Sequence, residues 1–213
     1  MLRGQVRGRD VTSGWSRVEE DETSGADLPR ITAGRLGGRR LKYPKGGGFR
    51  PTMDVVKEAL FSILADGIEG AGVLDLFAAS GALGLEAISR GAEKVVFVEK
   101  NVKACRMLSE NIKLLGVEDR TEVVNTDALI YLKRFEFSPT YVFCDPPYRS
   151  GLASQTLLLL DDCRYIGNET IIVIEHAADE RLDIPSSMIR NKTRDYGETR
   201  VSFLRKKMKG EYN

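Results

Sequence analysis

The stretch V-L-D-L-F-A-A-S-G-A-L-G, residues 73–84, decides the fold of this chain. Its first half is a continuous apolar run that is typical of a buried strand, and its second half is a turn of small residues that leads into a helix. Small residues let the backbone approach a ligand, and amide groups at a helix N-terminus can meet the ligand's polar edge. The stretch therefore predicts the first strand–turn–helix unit of an open α/β sheet, with a ligand beyond the turn.

Apolar runs and amphipathic stretches alternate along the rest of the chain. Buried strands are predicted at residues 73–77, 94–98, 121–125, 141–144 and 170–175. One helix is predicted from residue 51 or 52, with an apolar stripe that includes Val55, and others at 81–90, 102–115, 128–135 and 152–162. Residues 188–195 and 199–206 flank Tyr196-Gly197, which is typical of a closing antiparallel hairpin. The alternation predicts a doubly wound α/β fold with a mostly parallel sheet.

Composition divides the chain into three parts. Residues 1–29 are polar and show no hydrophobic period, so we expect a disordered tail. Residues 30–50 are basic and rich in glycine, which suits a β-hairpin or an extended arm that neutralises phosphates. Residues 51–209 form the expected α/β domain. A second basic cluster closes it, at Arg200, Arg205, Lys206, Lys207 and Lys209.

Size, charge and cysteine content narrow the class of protein. The 213 residues suffice for one domain with a substantial core, and the net charge of +1 excludes no class of partner. Three cysteines without a C-x-x-C pair indicate reduced thiols, and no apolar stretch has the length of a membrane span. We therefore expect a cytoplasmic protein, and nothing in the sequence demands more than a monomer.

Acids stand at the ends of three successive predicted strands. Ala79 stands where the dinucleotide-binding fingerprint has glycine, and Asp75 would repel phosphates but could accept from an ammonium group. Glu99 ends the second strand, where a carboxylate can accept from both hydroxyls of a ribose. Asp127 could accept from an adenine amino group or cap the following helix. Three acids without a Walker lysine indicate a nucleoside that lacks phosphates, which points to S-adenosylmethionine.

The tetrapeptide Asp145-Pro146-Pro147-Tyr148 follows the fourth predicted strand. The Asp145 carboxylate and the Pro146 carbonyl can accept the two hydrogens of an amino group, and two rigid prolines fix these acceptors in advance. Tyr148 offers a face on which a base can stack. The motif predicts a pocket for a planar amino compound, either a nucleobase or an amide. No metal is required, and we expect the lone histidine, His176, to be a structural or surface residue.

Four motifs in order, D-L-F-A-A-S-G-A-L-G, F-V-E-K-N, N-T-D-A and D-P-P-Y, resemble the class I S-adenosylmethionine-dependent methyltransferases that methylate amino groups. Two longer stretches, R-I-T-A-G-R-L-G-G-R-R-L and F-R-P-T-M-D-V-V-K-E-A-L-F-S-I-L, are similar to the bacterial small-subunit rRNA guanine-N2 methyltransferases of the RsmD type. The closing T-R-D-Y-G-E-T-R-V-S-F-L also fits that family. The likeness runs from about residue 30 to residue 206.

The resemblance implies a Rossmann-like sheet of seven strands and a set of site residues. Cofactor contacts are implied for Arg50, Thr52, Asp75, Phe77, Ala79, Ser80, Gly81, Gly84, Glu99 and Asp127. Asp145, Pro146 and Tyr148 are the implied catalytic residues. RNA contacts are expected at Arg35, Arg39, Arg40, Lys42 and Arg149, with Tyr43 and Phe49 as possible stacking residues. The expected substrate is a flipped-out or unpaired guanine of 16S rRNA, in free RNA or in the 30S subunit.

Other functions fit parts of the same pattern. A DNA adenine-N6 methyltransferase can use D-P-P-Y, although no DNA-recognition insertion is evident. A protein-glutamine methyltransferase usually opens the motif with Asn in place of Asp. A catalytically silent RNA-binding factor for ribosome assembly could keep the fold, and Ala79 is the feature that favours it.

Overall fold

The computed structural model describes residues 29–43 and 52–211. The expected tail therefore lies outside the described residues, apart from Pro29 at its end. Pro44 to Pro51 also lies outside them, so nothing tests the cofactor role of Arg50 or the stacking role of Phe49. The side chains of Thr52 and Met53 are likewise not described.

Seven strands of the described chain form one sheet, in the order β3-β2-β1-β4-β5-β7-β6. The first five run parallel to their neighbours, and β7 runs antiparallel to both β5 and β6. Their bounds are β1 Gly72–Leu76, β2 Lys94–Glu99, β3 Thr121–Asn125, β4 Tyr141–Cys144, β5 Ile171–Ala177, β6 Met188–Tyr196 and β7 Thr199–Lys206. This confirms the predicted mostly parallel sheet and its closing hairpin, whose two-residue turn is Gly197-Glu198.

Helices cover both faces of the sheet, as a doubly wound fold requires. Their bounds are α1 Thr52–Leu64, α2 Ala82–Ser89, α3 Val102–Leu115, α4 Ala128–Leu132 and α5 Leu152–Asp162. On one face, side chains of α1, α2 and α3 pack with Phe97, Phe143 and Phe203. On the other face, α4 and α5 pack over Val142 and Ile174. Short 3₁₀ turns follow α1 and α3, at Ala65–Ile68 and Glu118–Arg120.

Two details of the helices correct the expectations from sequence. Val55 is 59% exposed, whereas Phe61 is fully buried, so the predicted apolar stripe of α1 was wrong at Val55. Lys57 lies within the buried face, because acidic partners meet its ammonium group there. Helix α4 ends at Leu132 rather than at residue 135, since the amides of Lys133 and Arg134 bond carbonyls three residues back.

The described part of the basic segment, residues 29–43, docks on α2 and α3 instead of extending into solvent. It folds back on itself through a single antiparallel bridge between Arg30 and Arg40, and it buries Ile31 and Leu41 in the core. Hereafter we call residues 30–43 the basic arm. We expected a β-hairpin or an extended arm, but the described residues of this segment form one bridge and no regular strands. The turn at residues 33–38 is hydrogen-bonded to α2 instead.

A buried carboxylate fixes the basic arm to the domain. Glu86 of α2 is 0% exposed and accepts hydrogen bonds from the Thr32 amide at 2.7 Å, the Thr32 hydroxyl at 2.8 Å and the Ala33 amide at 3.1 Å. Arg90 donates to it at 2.8 Å, and the Lys57 ammonium nitrogen lies 3.7 Å away. Lys57 also donates to the Arg30 carbonyl. The charge of Glu86 is therefore matched by two cations, and its oxygens are satisfied by the arm.

Candidate active site

A cavity of about 570 Å³ opens at the carboxyl ends of β1 and β4, beside the first two turns of α1. Strand order reverses between these two strands, and ligands of open α/β sheets bind at such a switch point. The volume lies in the range of small-molecule sites. Its lining includes Asp75 near the end of β1, residues 77–80 after that strand, Glu99 at the end of β2, residues 145–148 after β4, and Thr199 at the start of β7.

The turn after β1 is held in a strained backbone conformation. Phe77 and Ala79 have positive φ angles of 61° and 46°, which side-chain-bearing residues rarely adopt. The Ala79 amide donates to the Glu99 carboxylate at 3.0 Å, so the turn is tied to the end of β2. Phe77, Ala79 and Ser80 all line the cavity. Strain of this kind persists where surrounding contacts over-determine it, and it is concentrated at functional sites.

Gly81 and Gly84 were predicted to approach the cofactor, but neither belongs to the cavity lining. A Cβ at Gly81 would lie 2.3 Å from Leu108, and one at Gly84 would lie 2.3 Å from the ring of Phe97. Gly81 also has φ +79°. Their lack of a side chain is explained by the packing of α2 against β2 and α3.

Asp75 is 2% exposed at the inner end of the cavity, where it accepts a hydrogen bond from the Gly84 amide at 2.9 Å. Burial raises the pKa of its carboxyl well above the usual value, and the charges of Asp145 and Glu99 add to this, against the Gly84 hydrogen bond. Asp75 thus both orders the start of α2 and presents a carboxyl group to the cavity. Its proposed contact with an ammonium group stays a prediction.

Glu99 and Asp127 take different places. Glu99 lines the cavity, and its carboxylate accepts from the amides of Ala79 and Asn101, the latter at 2.7 Å. Each carboxylate oxygen has a further lone pair, so ribose hydroxyls can still donate to it. Asp127 caps α4 by accepting from the amides of Leu129 and Ile130, and the cavity is lined there by Ala128 instead. The structure therefore supplies the helix cap that the sequence offered as the alternative role of Asp127.

The tetrapeptide after β4 forms one wall of the cavity. Pro146 is buried and Pro147 exposed, whereas Asp145 and Tyr148 are partly buried. The Tyr148 hydroxyl lies 2.9 Å from the hydroxyl of Thr199. The predicted catalytic trio therefore shares one cavity with Asp75 and Glu99.

Sequence reasoning missed several cavity residues, including Asp54, Lys57, Lys100, Glu175 and Thr199. The first two lie on α1, where Lys57 Nζ is 3.2 Å from the Asp54 carboxylate. The fold brings these residues to the switch point from distant parts of the chain. The charges of Asp54 and Lys57 within the apolar pattern of α1 could have indicated a site on that helix. Among the described lining residues, five carboxylates face two lysines, Lys57 and Lys100. Such a lining favours a cationic ligand over a phosphate.

The basic residues expected to contact RNA are distributed unevenly. Arg35, Arg39 and Arg40 are exposed on the basic arm, whereas Lys42 pairs with Glu110 at 2.7 Å. Arg149 pairs with Asp179 at 3.0 Å, and this pair lowers the pKa of the Asp179 carboxyl.

The C-terminal basic cluster is largely committed to local partners. Arg200 pairs with Asp195, Arg205 pairs with Glu211, and Lys206 donates to the Cys163 carbonyl. This leaves less charge for phosphates than the sequence suggested.

His176 is buried outside the cavity lining, with Nε2 3.1 Å from the Ser202 hydroxyl, and burial lowers the pKa of its imidazole. Residues 29–43 and 52–211 contain no group of three or more potential His, Cys, Asp or Glu metal ligands. In the same residues, no helix combines the length and apolar character that crossing a bilayer requires.

Comparisons with known proteins match nearly the whole described chain. The family model described as conserved hypothetical protein 95 matches residues 29–205. Ribosomal RNA small subunit methyltransferase D of Escherichia coli strain K12 is 35% identical over 195 residues, 91% of this chain and 98% of that protein. The protein of the same name from Haemophilus influenzae is 37% identical, over 77% of this chain and 88% of its own length. The solved structure of Escherichia coli yhhF superposes with a TM-score of 0.76 at 34% identity, and the match covers 84% of this chain and 98% of that one.

Proposed function

The chain belongs to the RsmD family, whose model carries the description conserved hypothetical protein 95, and from this premise we propose that it methylates the N2 amino group of a guanine in 16S rRNA. The methyl donor in this proposal is S-adenosylmethionine. One observation carries it: a single cavity at the switch point of the sheet is lined by residues 145–148, by Asp75, and by the turn in which the Ala79 amide is bonded to Glu99. The E. coli relative, named for methylation of small-subunit rRNA, is aligned over almost its full length.

The cavity lining fits S-adenosylmethionine, which bears an ammonium group and a sulfonium but no phosphate. Glu99 would hold the ribose hydroxyls, and Asp75 or Asp54 would face the cationic groups. Lys57 lies in the same lining, where its ammonium group would pair with the carboxylate of the cofactor. The bound cofactor supplies an electrophilic methyl group on a sulfonium. Because the lining is acidic, we expect it to favour the sulfonium cofactor, which carries one more positive charge than the thioether product.

Asp145 and Pro146 would prepare the acceptor nitrogen. An exocyclic amino group is a poor nucleophile, since its lone pair is delocalised into the ring of the base. The Asp145 carboxylate and the Pro146 carbonyl accept its two hydrogens, which favours the pyramidal nitrogen of the transition state. A carboxylate at this position can also take the proton that the nitrogen loses. Pro146 is buried and its ring fixes φ, so we expect the acceptor geometry to be in place before the substrate binds.

The basic arm would hold RNA beside the cavity. Arg35, Arg39 and Arg40 are exposed on a segment that Glu86 fixes to the domain, so these cations are presented on a rigid support. Phosphate contacts of this kind position an RNA without reading its sequence. The target base must leave its stack to reach Asp145, and Tyr148 would stack on it.

The test supplies labelled S-adenosylmethionine with 30S subunits, naked 16S rRNA, duplex DNA or release-factor protein, and digests the products to single nucleosides or amino acids. We expect N2-methylguanosine from one of the rRNA substrates. Asp145→Asn should abolish most of the labelling, whereas Asp162→Asn, an exposed aspartate at the opposite edge of the sheet, should not.

Each other outcome names a different function. Label in N6-methyladenine of DNA or in glutamine would refute the proposal and favour the corresponding enzyme. Cofactor binding without any labelled product would favour a silent assembly factor. Labelling of 30S subunits but not of naked RNA would identify the assembled particle as the substrate.

A further inference from the structure

The closing hairpin of the sheet contacts Tyr148, the proposed base-stacking residue, through a pair of hydroxyl groups. The Tyr148 and Thr199 hydroxyl oxygens are 2.9 Å apart, although 51 residues separate them in the chain. Thr199 is 7% exposed, begins β7 and lines the cavity. Because the phenol oxygen is at the far end of the tyrosine side chain, a bond there restrains the whole ring.

The residue after Tyr148 is restrained as well. Arg149 has φ +57°, a left-handed conformation that costs energy for any residue with a Cβ. Its amide donates to the Glu180 carboxylate at 2.9 Å, and its guanidinium pairs with Asp179 at 3.0 Å. Both acids lie directly after β5. The strained turn is thus held from outside by the segment that joins β5 to β6.

These two contacts belong to one assembly, because the Ala178 amide donates to the Glu198 carbonyl at 2.9 Å. That bond ties the end of β5 to the turn of the closing hairpin. Residues 178–180 and residues 198–199 therefore form a continuous support behind the tetrapeptide, and we call it the hairpin clamp. The clamp holds Tyr148 by its hydroxyl and Arg149 by its backbone and side chain.

We propose that the hairpin clamp fixes the orientation of the Tyr148 ring relative to Asp145, with Thr199 as a positioning residue for the methyl acceptor. The inference rests on the proposed function, in which Tyr148 stacks on the target base. A ring held at both ends fixes the plane of a stacked base, and this aligns the amino nitrogen with the acceptors at Asp145 and Pro146. A ring without the hydroxyl contact still stacks but samples several planes.

The test compares Thr199→Val, which keeps the shape of the side chain and removes its hydroxyl, with Thr199→Ser, which keeps the hydroxyl. Tyr148→Phe removes the same bond from the other side. Thr193→Val is the matched control, because Thr193 lies on the neighbouring strand of the same hairpin and outside the cavity lining. Rates are measured on 16S rRNA or 30S subunits, whichever the wild-type protein labels, and melting temperatures are recorded for every variant.

We expect Thr199→Val and Tyr148→Phe each to lower kcat about 3- to 10-fold, as the loss of one hydrogen bond between neutral groups does. KM for RNA should change less than about 2-fold, since the stacking surface and phosphate contacts remain. The double variant should be no slower than either single variant, because both remove one bond. Thr199→Ser should restore the rate. The positioning role would be overturned if the losses in kcat of the two single variants multiplied in the double variant. It would also be overturned if the losses in kcat across the variants were proportional to their decreases in melting temperature.

A spectroscopic readout separates this inference from the proposed function. Carbon-13 at the tyrosine Cζ reports hydrogen bonding of the phenol, and Tyr148→Phe identifies the signal. We expect Thr199→Val, and not Thr193→Val, to shift it. An unshifted signal would refute the clamp even if the enzyme is active. A wild-type protein that labels no RNA would refute the proposed function, and the Cζ signal would still decide whether Thr199 restrains the ring.

Discussion

Glu86→Gln is the substitution that best tests how the basic arm is attached. Glutamine has the size of glutamate, but its NH₂ group cannot accept a hydrogen bond. If that group replaces the oxygen facing the Thr32 amide, one donor is orphaned; in the other orientation, the Thr32 hydroxyl, Ala33 and Arg90 lose their acceptor. The better orientation still leaves Lys57, which is 4% exposed, without one of its two acidic partners.

The magnitude follows from these losses. An orphaned buried donor costs about 1–3 kcal/mol, and removal of one member of a buried ion pair costs about 3–5 kcal/mol. The two figures overlap because the same oxygens are involved, so we expect a loss of about 3–5 kcal/mol in the free energy of unfolding. That is a large part of the roughly 5–15 kcal/mol of a typical domain.

Urea unfolding followed by circular dichroism measures the loss, and trypsin cleavage at Arg35, Arg39 and Arg40 reports release of the basic arm. Glu118→Gln, at an exposed glutamate, is the control and should stay within about 0.5 kcal/mol of the wild type. A loss below about 1 kcal/mol together with an uncleaved arm would show that Glu86 does not anchor it.

Three further predictions follow from the cavity and the arm. Ala79→Gly should stabilise the protein by about 0.5–1 kcal/mol in thermal unfolding, because relief of its left-handed backbone, roughly 1–2 kcal/mol, exceeds the added freedom of the unfolded chain, about 0.4–1 kcal/mol. Ala78→Gly, where φ is not positive, should destabilise it, and equal effects at the two positions would refute the strain. Asp75 has a folded-state pKa above its unfolded value of about 3.9, so its contribution to stability is present below that value and lost as pH rises through the folded pKa. Asp75→Asn should therefore gain stability relative to the wild type as pH rises above the unfolded-state pKa of about 3.9, and a gap that does not change with pH would contradict the effect of burial. Replacing Arg39 and Arg40 by alanine should reduce the slope of log affinity for 16S rRNA against log salt by about 0.7–0.9 per lost phosphate contact, whereas Arg164→Ala, at the opposite edge, should leave the slope unchanged.

Local pattern was sufficient for the strands, the closing hairpin and the family resemblance, which the matched family model confirms. Runs such as Tyr141–Cys144 are apolar because both faces of the sheet are covered, and that requirement is written in consecutive residues. The sequence also placed Asp75, Glu99 and Asp145 at strand ends, where parallel strands bring them together. The same pattern assigned Gly84 to the ligand, although it packs against Phe97, because a missing side chain does not reveal which neighbour requires the space.

The remaining features depend on contacts between distant residues. Thr32 meets Glu86 across 54 positions, and Tyr148 meets Thr199 across 51. Lys57 was missed because a lysine within an apolar stripe is normally exposed, and its burial depends on Asp54 of the same helix together with Glu86, a buried carboxylate on another helix. No periodicity encodes such pairings.

The placement of β7 has a consequence for the order in which the chain can mature. This strand lies between β5 and β6 in the sheet, although it follows both in sequence. A nascent chain that has released β6 therefore has no neighbour on which to pair it, and Thr199 has not yet reached Tyr148. We expect the cavity to acquire its last wall only when residues up to about Lys206 have left the ribosome.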